Sequence, residues 1–172
     1  MQEPLLDDID RKLLVHLQRN AAATNVELSE VAFLSPPQCH RRIKRLERLG
    51  VIKKSVVLLD RQKMGFGVVA MVSISRDKEL YKGLQEIETL LNRFPEILEC
   101  YSITGDFDYL LKVVAADLEE FSIFLREKLM RVPGISAVRS AVCLDEVKYS
   151  TALPIEVRPA KKSTGRRNNP KD

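Results

Sequence analysis

Residues 24–50, TNVELSEVAFLSPPQCHRRIKRLERLG, hold two helix starts within a dozen positions, and the front of the molecule turns on them. Thr24-Asn-Val-Glu27 fits a capping box: the hydroxyl takes the glutamate amide while the carboxylate reaches back to the threonine. Ser35 begins a second box with Gln38, and Pro36 sits at the first helical position, where its missing N–H costs nothing. The first of these helices offers Val26, Leu28, Val31 and Ala32 as apolar residues. The second sets Cys39, Ile43, Leu46 and Gly50 at spacings of four, three and four along one side. It runs to Leu49 and stops at Gly50, a residue that readily takes the left-handed closing conformation. Upstream, Ile9, Leu13, Leu14 and Leu17 repeat at helical spacing behind a start at Asp7 or Asp8. Three helices result, and the last two, joined through Phe33-Leu-Ser35, form a helix-turn-helix.

The third helix is also the most basic part of the front half. From Gln38 to Lys54 seven Lys/Arg residues face the single acid Glu47. The acids that an intrahelical ladder needs four residues ahead of its bases are missing. Self-repulsion of this kind is relieved by an external polyanion, and DNA phosphate is one. A charged helix face is more often simply solvated. Here it lies on the second helix of a capped pair, the element that a helix-turn-helix puts into the major groove. Double-stranded DNA is therefore the expected partner. Ser35 and Pro37 open the candidate surface, and Gln38, His40 and Arg41, near the helix start, are the candidate base readers. Arg42, Lys44, Arg45 and Arg48 are candidate phosphate or core-edge contacts, one or two of which brace the fold through Glu47 or Asp10 instead. The strand-rich run Val51–Leu59 comes next, with Lys53 and Lys54 touching backbone as a wing.

The composition is that of an ordinary globular protein: 172 residues, 45% hydrophobic and 30% charged. The net charge of +4 divides unevenly, at +4 for residues 1–63, −5 for residues 64–157 and +5 for residues 158–172. Only part of the chain is thus suited to a polyanion. The domain reading is a DNA-binding domain over residues 1–60, a linker over 61–67, a second domain over 68–157, and a basic disordered tail over 158–172. No apolar run approaches the roughly 18 residues of a membrane span, and the acidic start lacks the pattern of a secretory signal. Cys39, Cys100 and Cys143 are expected as reduced, buried thiols in a cytoplasmic protein. His16 and His40 are the sole histidines, which makes a histidine-rich metal site untenable. No nucleophile–base pair, metal cluster or phosphate loop is visible, so no catalytic residue, metal or cofactor is expected and the chain does not read as an enzyme.

The rear half alternates in kind. Val68–Ser75 is a β-branched strand; Leu80, Leu84, Ile87, Leu90 and Leu91 keep helical spacing up to Phe94-Pro95. Strands are expected over Ile97–Thr104 and Tyr109–Ala115, joined by Gly105-Asp-Phe-Asp108. Asp117 caps a helix bearing Leu118, Phe121, Phe124, Leu125 and Leu129, and Ile135–Val147 is the last strand. The order βαββαβ is ferredoxin-like, which makes the whole chain an α+β protein with a winged helix-turn-helix in front. The turn Thr104-Gly-Asp-Phe-Asp108 sets two carboxylates beside a glycine. Asp106 or Asp108 could take an ammonium, while backbone N–H groups and a hydroxyl of Thr104 or Ser102 take a carboxylate. Gly and Asp also dominate plain hairpin turns, so the residues alone leave both readings open. A hard cation would want six or more oxygens, and no further acids cluster here.

These residues resemble the Lrp/AsnC family of prokaryotic transcription factors. The resemblance rests on LDDIDRKLLVHLQRN from Leu6, TNVELSEVA from Thr24, LSPPQCHRRIKRLERLGVI from Leu34, GDFDYLL from Gly105 and VPGISAVRS from Val132. It implies a regulator whose DNA affinity or assembly responds to an amino-acid effector, bound around the turn between neighbouring dimers. It also implies self-association into a dimer and on to a tetramer or octamer. Gly105, Asp106 and Asp108 match the family's turn, and Thr104 sits where serine and threonine alternate. Ser102, Leu118, Val142 and Cys143 stand at positions that shape the effector pocket in relatives. Phe33 departs from the glycine common before the turn, and Pro37-Gln38 replaces small or hydroxyl-bearing residues. Two other classes stay open: an architectural protein that compacts DNA, and an amino-acid-sensing regulatory subunit of an enzyme.

Overall fold

The structure, a computed structural model, describes residues 6–77 and 84–157. Leu80 and the basic tail lie outside the described residues. The chain divides into two compact units, one made of residues 6–57 with residues 149–157, the other of Leu58–Lys148.

The front unit contains α1 (Asp8–Arg19), α2 (Asn25–Ala32) and α3 (Pro36–Arg48). Both capping boxes close. Thr24 accepts from the Glu27 amide at 3.2 Å while the Glu27 carboxylate takes the Thr24 amide at 2.6 Å. At α3 the Gln38 carbonyl oxygen accepts from both the amide and the hydroxyl of Ser35, each at 2.9 Å. Gly50, at φ 72°, ends α3 and lets the Val51 amide return to the Leu46 carbonyl at 3.0 Å. Leu13, Leu28, Ala32 and Cys39 form the core, with Ile9, Leu17, Leu34 and Ile43 against it. Each fully buried leucine contributes about 1.5–3 kcal/mol by leaving water. Val26, read as an apolar position of α2, is exposed instead.

Two expectations need correction here. Val51–Leu59 forms no strand: residues 151–156 share a cleft with Val51–Ser55 but make no ladder with them, and Val56 to Leu59 stay exposed. Residues 61–67, read as a linker, form a turn ahead of the strand that starts at Val68, held by the Asp60 carboxylate on the Gln62 and Lys63 amides and by Arg61 on the Phe66 and Gly67 carbonyls. Only Cys39 of the three free cysteines is buried. Cys100 stands on an edge strand and Cys143 lies just past the end of the opposite edge, where the single chain leaves side chains uncovered.

The rear unit runs β1 (Val68–Arg76), α4 (Leu84–Leu91), β2 (Ile97–Ser102), β3 (Tyr109–Ala115), α5 (Leu118–Ile123) and β4 (Ile135–Val142). Helical winding continues past α5 through a wider π turn at Phe124–Lys128 and a tight turn at Leu129–Arg131. The Asp117 carboxylate accepts from the Glu120 amide at 2.8 Å, the cap its position predicts. All pairings are antiparallel in the order β2-β3-β1-β4, the ferredoxin-like arrangement. Alternation on β1 sends Ala70, Val72 and Ile74 into a core completed by Leu111, Val113, Ile87, Leu91, Phe121, Phe124 and Leu129. Met71 and Tyr101 are left exposed.

Candidate functional site

The third helix has one side in the core and the other in water. Cys39 and Leu46 are buried, whereas Pro37, Gln38, His40, Arg41, Lys44 and Arg48 are exposed. Pro37, Arg41, Lys44 and Arg48 are spaced by four, three and four, so they form one stripe along a rod of thirteen residues. At 1.5 Å per residue that rod is about 20 Å long, enough to track a major groove for several base pairs.

The basic residues of this helix are committed unequally. Arg42 and Arg45 turn back to α1. The Arg42 guanidinium donates to Asp7 at 2.7 Å and to Asp10 at 2.8 Å, and Arg45 donates to the other Asp10 oxygen at 2.9 Å. Asp10 is fully buried, the one buried charged group among the described residues. Its carboxylate also takes the Asp7 amide in the capping box of α1, at 3.4 Å. Burial works against the charge of Arg42, but the bonds to Asp7 and Asp10 prevail and raise its pKa. Burial likewise raises Asp7, yet the Asp10 amide and Arg42 outweigh it and hold its carboxyl below 3.8. Lys44 pairs with Glu47 at 2.7 Å. Arg41 and Arg48 form no ion pair among the described residues. Lys53 and Lys54 are exposed on the stretch after Gly50. Ser35 and the Gln38 carbonyl oxygen are occupied by the cap, and Gln38 is exposed.

Sequence reasoning named Asp10 as one of two candidate braces. Its complete burial results from its place between Ile9 and Leu13 on the apolar side of α1, three residues after the capping Asp7. Phe33 is the second unusual residue. It closes α2 at φ 54° and ψ 46°, the left-handed region, and is 85% exposed. A bulky residue there is strained. The Lys12 ammonium lies 5.6 Å from its ring centroid, a weak compensation at an exposed site.

In the rear unit the candidate residues fall into two groups. Ser102, Thr104, Gly105, Asp106 and Asp108 gather where β2 turns into β3, beside the Ile74–Arg76 end of β1. Gly105 turns the chain at φ 120°, a conformation closed to most side chains. The Asp108 carboxylate accepts from the Arg76 amide at 2.9 Å and the Arg76 guanidinium at 3.4 Å. Asp106 is exposed, its carbonyl taking the Ser75 hydroxyl at 3.4 Å. Leu118, Val142 and Cys143 lie at the other end of the sheet: Val142 pairs with Ala70, the Cys143 amide donates to Val69, and Leu118 comes after β3 just past Ala115. The five residue steps from Ala70 to Ser75 span about 17 Å, so one chain does not bring the two groups together.

Comparison with known proteins covers nearly the whole chain. Residues 6–53 match a family model for winged helix-turn-helix DNA-binding, and residues 69–153 match one for the Lrp/AsnC ligand binding domain. The leucine-responsive regulatory protein of Escherichia coli is 37% identical over 153 residues, covering 89% of this chain and 93% of that protein. The transcriptional regulator AzlB of Bacillus subtilis is 35% identical over 152 residues, 88% of this chain and 97% of AzlB. A crystal structure of the transcriptional regulator NMB0573 with L-Met, from Neisseria meningitidis, superposes with a TM-score of 0.83. It is 36% identical and covers 87% of this chain and 96% of that one.

Proposed function

The chain belongs to the Lrp/AsnC family, and on that basis we propose that α3 reads duplex DNA while the rear sheets of neighbouring copies share a small amino acid. The protein is a DNA-binding transcriptional regulator with an amino-acid ligand-binding domain. One observation supports the finer reading: the exposed stripe of α3 keeps Arg41 and Arg48 free of internal acids, while the helix's other arginines are spent on α1. Arg41, His40 and the Gln38 amide enter the major groove; Arg48, Lys44, Lys53 and Lys54 meet phosphates. Ser35 and Pro37 fix the start of the helix.

For the effector, the separation of the turn from Leu118, Val142 and Cys143 supports a pocket completed by another copy. Asp106 takes the ammonium, Gly105 and Thr104 offer an N–H and a hydroxyl to the carboxylate, and Ser102 borders the side chain. The L-Met bound by the neisserial relative supports an α-amino acid as the ligand class. Binding between copies gives allostery its differential affinity, since rearranging the copies remakes or breaks the site. The exposed sheet residues Met71 and Tyr101 fit the same-surface pairing of a dimer. The protein works in the cytoplasm, beside its DNA.

The deciding experiment titrates the full chain onto its own upstream DNA and onto random DNA of equal length, at several fixed salt concentrations. Tighter, steeply salt-dependent retention of the upstream fragment is expected, with Arg41→Ala weakening it about 5- to 100-fold. Equal affinity for both fragments would mark an architectural protein instead. Unchanged binding by Arg41→Ala would remove α3 from the groove.

A further inference from the structure

A zwitterion carries two charges, and the turn between β2 and β3 answers one of them. Asp106 can take an ammonium, but Gly105 and Thr104 are neutral donors and the Asp108 carboxylate already holds Arg76. A carboxylate brought beside two aspartates is repelled unless a further cation stands near it.

The sheet places one there. Alternation on β1 sends Val72 and Ile74 into the core, so Ser73 and Ser75 lie on the opposite face. Arg139 of β4 stands directly across from Ser73, and residues paired in this way share a face. The Ser75 hydroxyl donates to the Asp106 carbonyl at 3.4 Å, which brings the turn over that same face. Ser73 and Ser75 are about 7 Å apart along the strand, a span within reach of an arginine side chain. The Arg139 guanidinium in fact lies over the ring of Phe107, the turn residue next to Asp106, with its carbon 5.0 Å from the ring centroid. Stacking on an aromatic face restrains a long side chain that otherwise samples many rotamers.

Arg139 and Asp106 are both exposed, and neither side chain forms an ion pair among the described residues. A cation and an anion that share a face without closing on each other can meet both ends of a zwitterion. The formal charges of Asp106, Asp108, Arg76 and Arg139 also cancel, which suits a ligand of zero net charge better than an amine or an acid. We propose that Arg139 recognises the carboxylate of the effector, held on the Phe107 ring so that it and Asp106 grip the two ends of an α-amino acid. The assignment rests on the effector reading of the turn given above. It adds the residue that tells an amino acid from the matching compound without a carboxylate. The Gly105 N–H and the Thr104 hydroxyl complete the hydrogen bonds of that carboxylate, while the guanidinium supplies charge and a two-pronged donor.

The test measures the affinity of the full chain for L-methionine and for L-methioninamide by calorimetry. The amide keeps the ammonium and the side chain but carries no carboxylate. L-methionine is the probe because the neisserial relative binds it; where another common amino acid gives a larger thermal shift, that amino acid and its amide take their place. The unaltered chain should bind the amino acid at least about 10-fold more tightly than the amide. R139Q should lose about 10- to 100-fold for the amino acid and little for the amide, so that the preference collapses. R139K keeps the charge without the fork and should retain part of the preference. F107L, which frees the guanidinium, should cost about 2- to 5-fold. The unliganded R139Q should melt with the unaltered chain, because Arg139 is exposed. An equal loss of both probes in R139Q would reduce the residue to a structural part and overturn the assignment. Unchanged binding of the amino acid by R139Q, alongside its loss in D106A, would also overturn it while leaving the turn as the effector site. A chain that binds none of the common amino acids would remove the effector reading itself, and the role of Arg139 with it.

Discussion

The stripe proposed to face DNA stands on thirteen consecutive residues, and one chain sets every member of it in place. The residues proposed to sense an effector are spread from Ser102 to Cys143, and one chain leaves them at two ends of a sheet. The contrast lies in what each function requires. A groove reader needs a rigid rod with a free side, which local capping and one buried brace supply. A sensor that acts through assembly needs a site that a single copy cannot finish, because only then does ligand binding favour one arrangement over another.

Four perturbations put this contrast at risk. The largest effect is expected at the brace. Asp10→Ala strips Arg42 and Arg45 of their buried partner and should cost the front unit about 1–3 kcal/mol, since both guanidinium groups still reach water and Arg42 keeps Asp7. Arg45→Ala should cost less, since Arg42 stays on the carboxylate. Hydrogen exchange reads both, with faster exchange in α1 and α3 while the β1 and β3 amides serve as the internal reference. Equal loosening of the sheet would show that the front unit does not stand on its own brace.

Next comes the turn. Asp106→Ala should lose the thermal shift produced by the effective amino acid in a screen of the common ones. The loss expected for one charge-assisted hydrogen bond is about 10- to 100-fold in affinity. Asp108→Ala should lower the melting temperature of the unliganded protein instead, because its carboxylate holds Arg76. The reverse pattern would make Asp108 the ammonium partner and Asp106 a turn residue.

Phe33→Gly probes strain in the helix-turn-helix. Leaving the left-handed region to glycine relieves about 1–2 kcal/mol, offset by about 0.5–1 kcal/mol of glycine's extra unfolded freedom. A net gain of roughly 1 kcal/mol or less is expected, seen as a small rise in melting temperature. A fall would mean that the Lys12 contact outweighs the backbone cost.

The smallest effect is acid sensitivity at Asp7. Its folded pKa lies below the ordinary 3.8, so its contribution is present above that value and lost as pH falls through the lowered one. Asp7→Asn should therefore flatten the acid end of the stability curve without changing it near pH 7 by the same route. An unchanged acid limb would show that the Arg42 pair adds nothing there.

Much of this was legible because its causes are local. Thr24 with Glu27, Ser35 with Gln38, Asp117 and Gly50 each fix a helix end through partners within five residues, and period-two burial on β1 and β3 arises from the strand itself. Less legible was which arginines remain for DNA. The sequence offers Arg41, Arg42, Arg45 and Arg48 as equals, and only the packing of α1 against α3 commits two of them to Asp10. The strand expected over Val51–Leu59 misled because its residues favour a strand, whereas a strand also needs a partner in register, and the nearby residues 151–156 form no ladder with it. The thiols of Cys100 and Cys143 misled likewise, since apolar surroundings in sequence do not say which strand becomes an edge.

The order of residues was enough to set the element types, the helix ends, the ferredoxin-like succession and the basic character of α3. These depend on backbone propensity, capping and periodicity, all acting over a few residues. Packing in three dimensions was needed before Gln18 could hold Leu153, 135 positions away, and before Leu118 and Val142 stood apart from Asp106. Such pairings come from how whole elements pack, because hydrogen bonding and burial reward proximity in space whatever the distance along the chain.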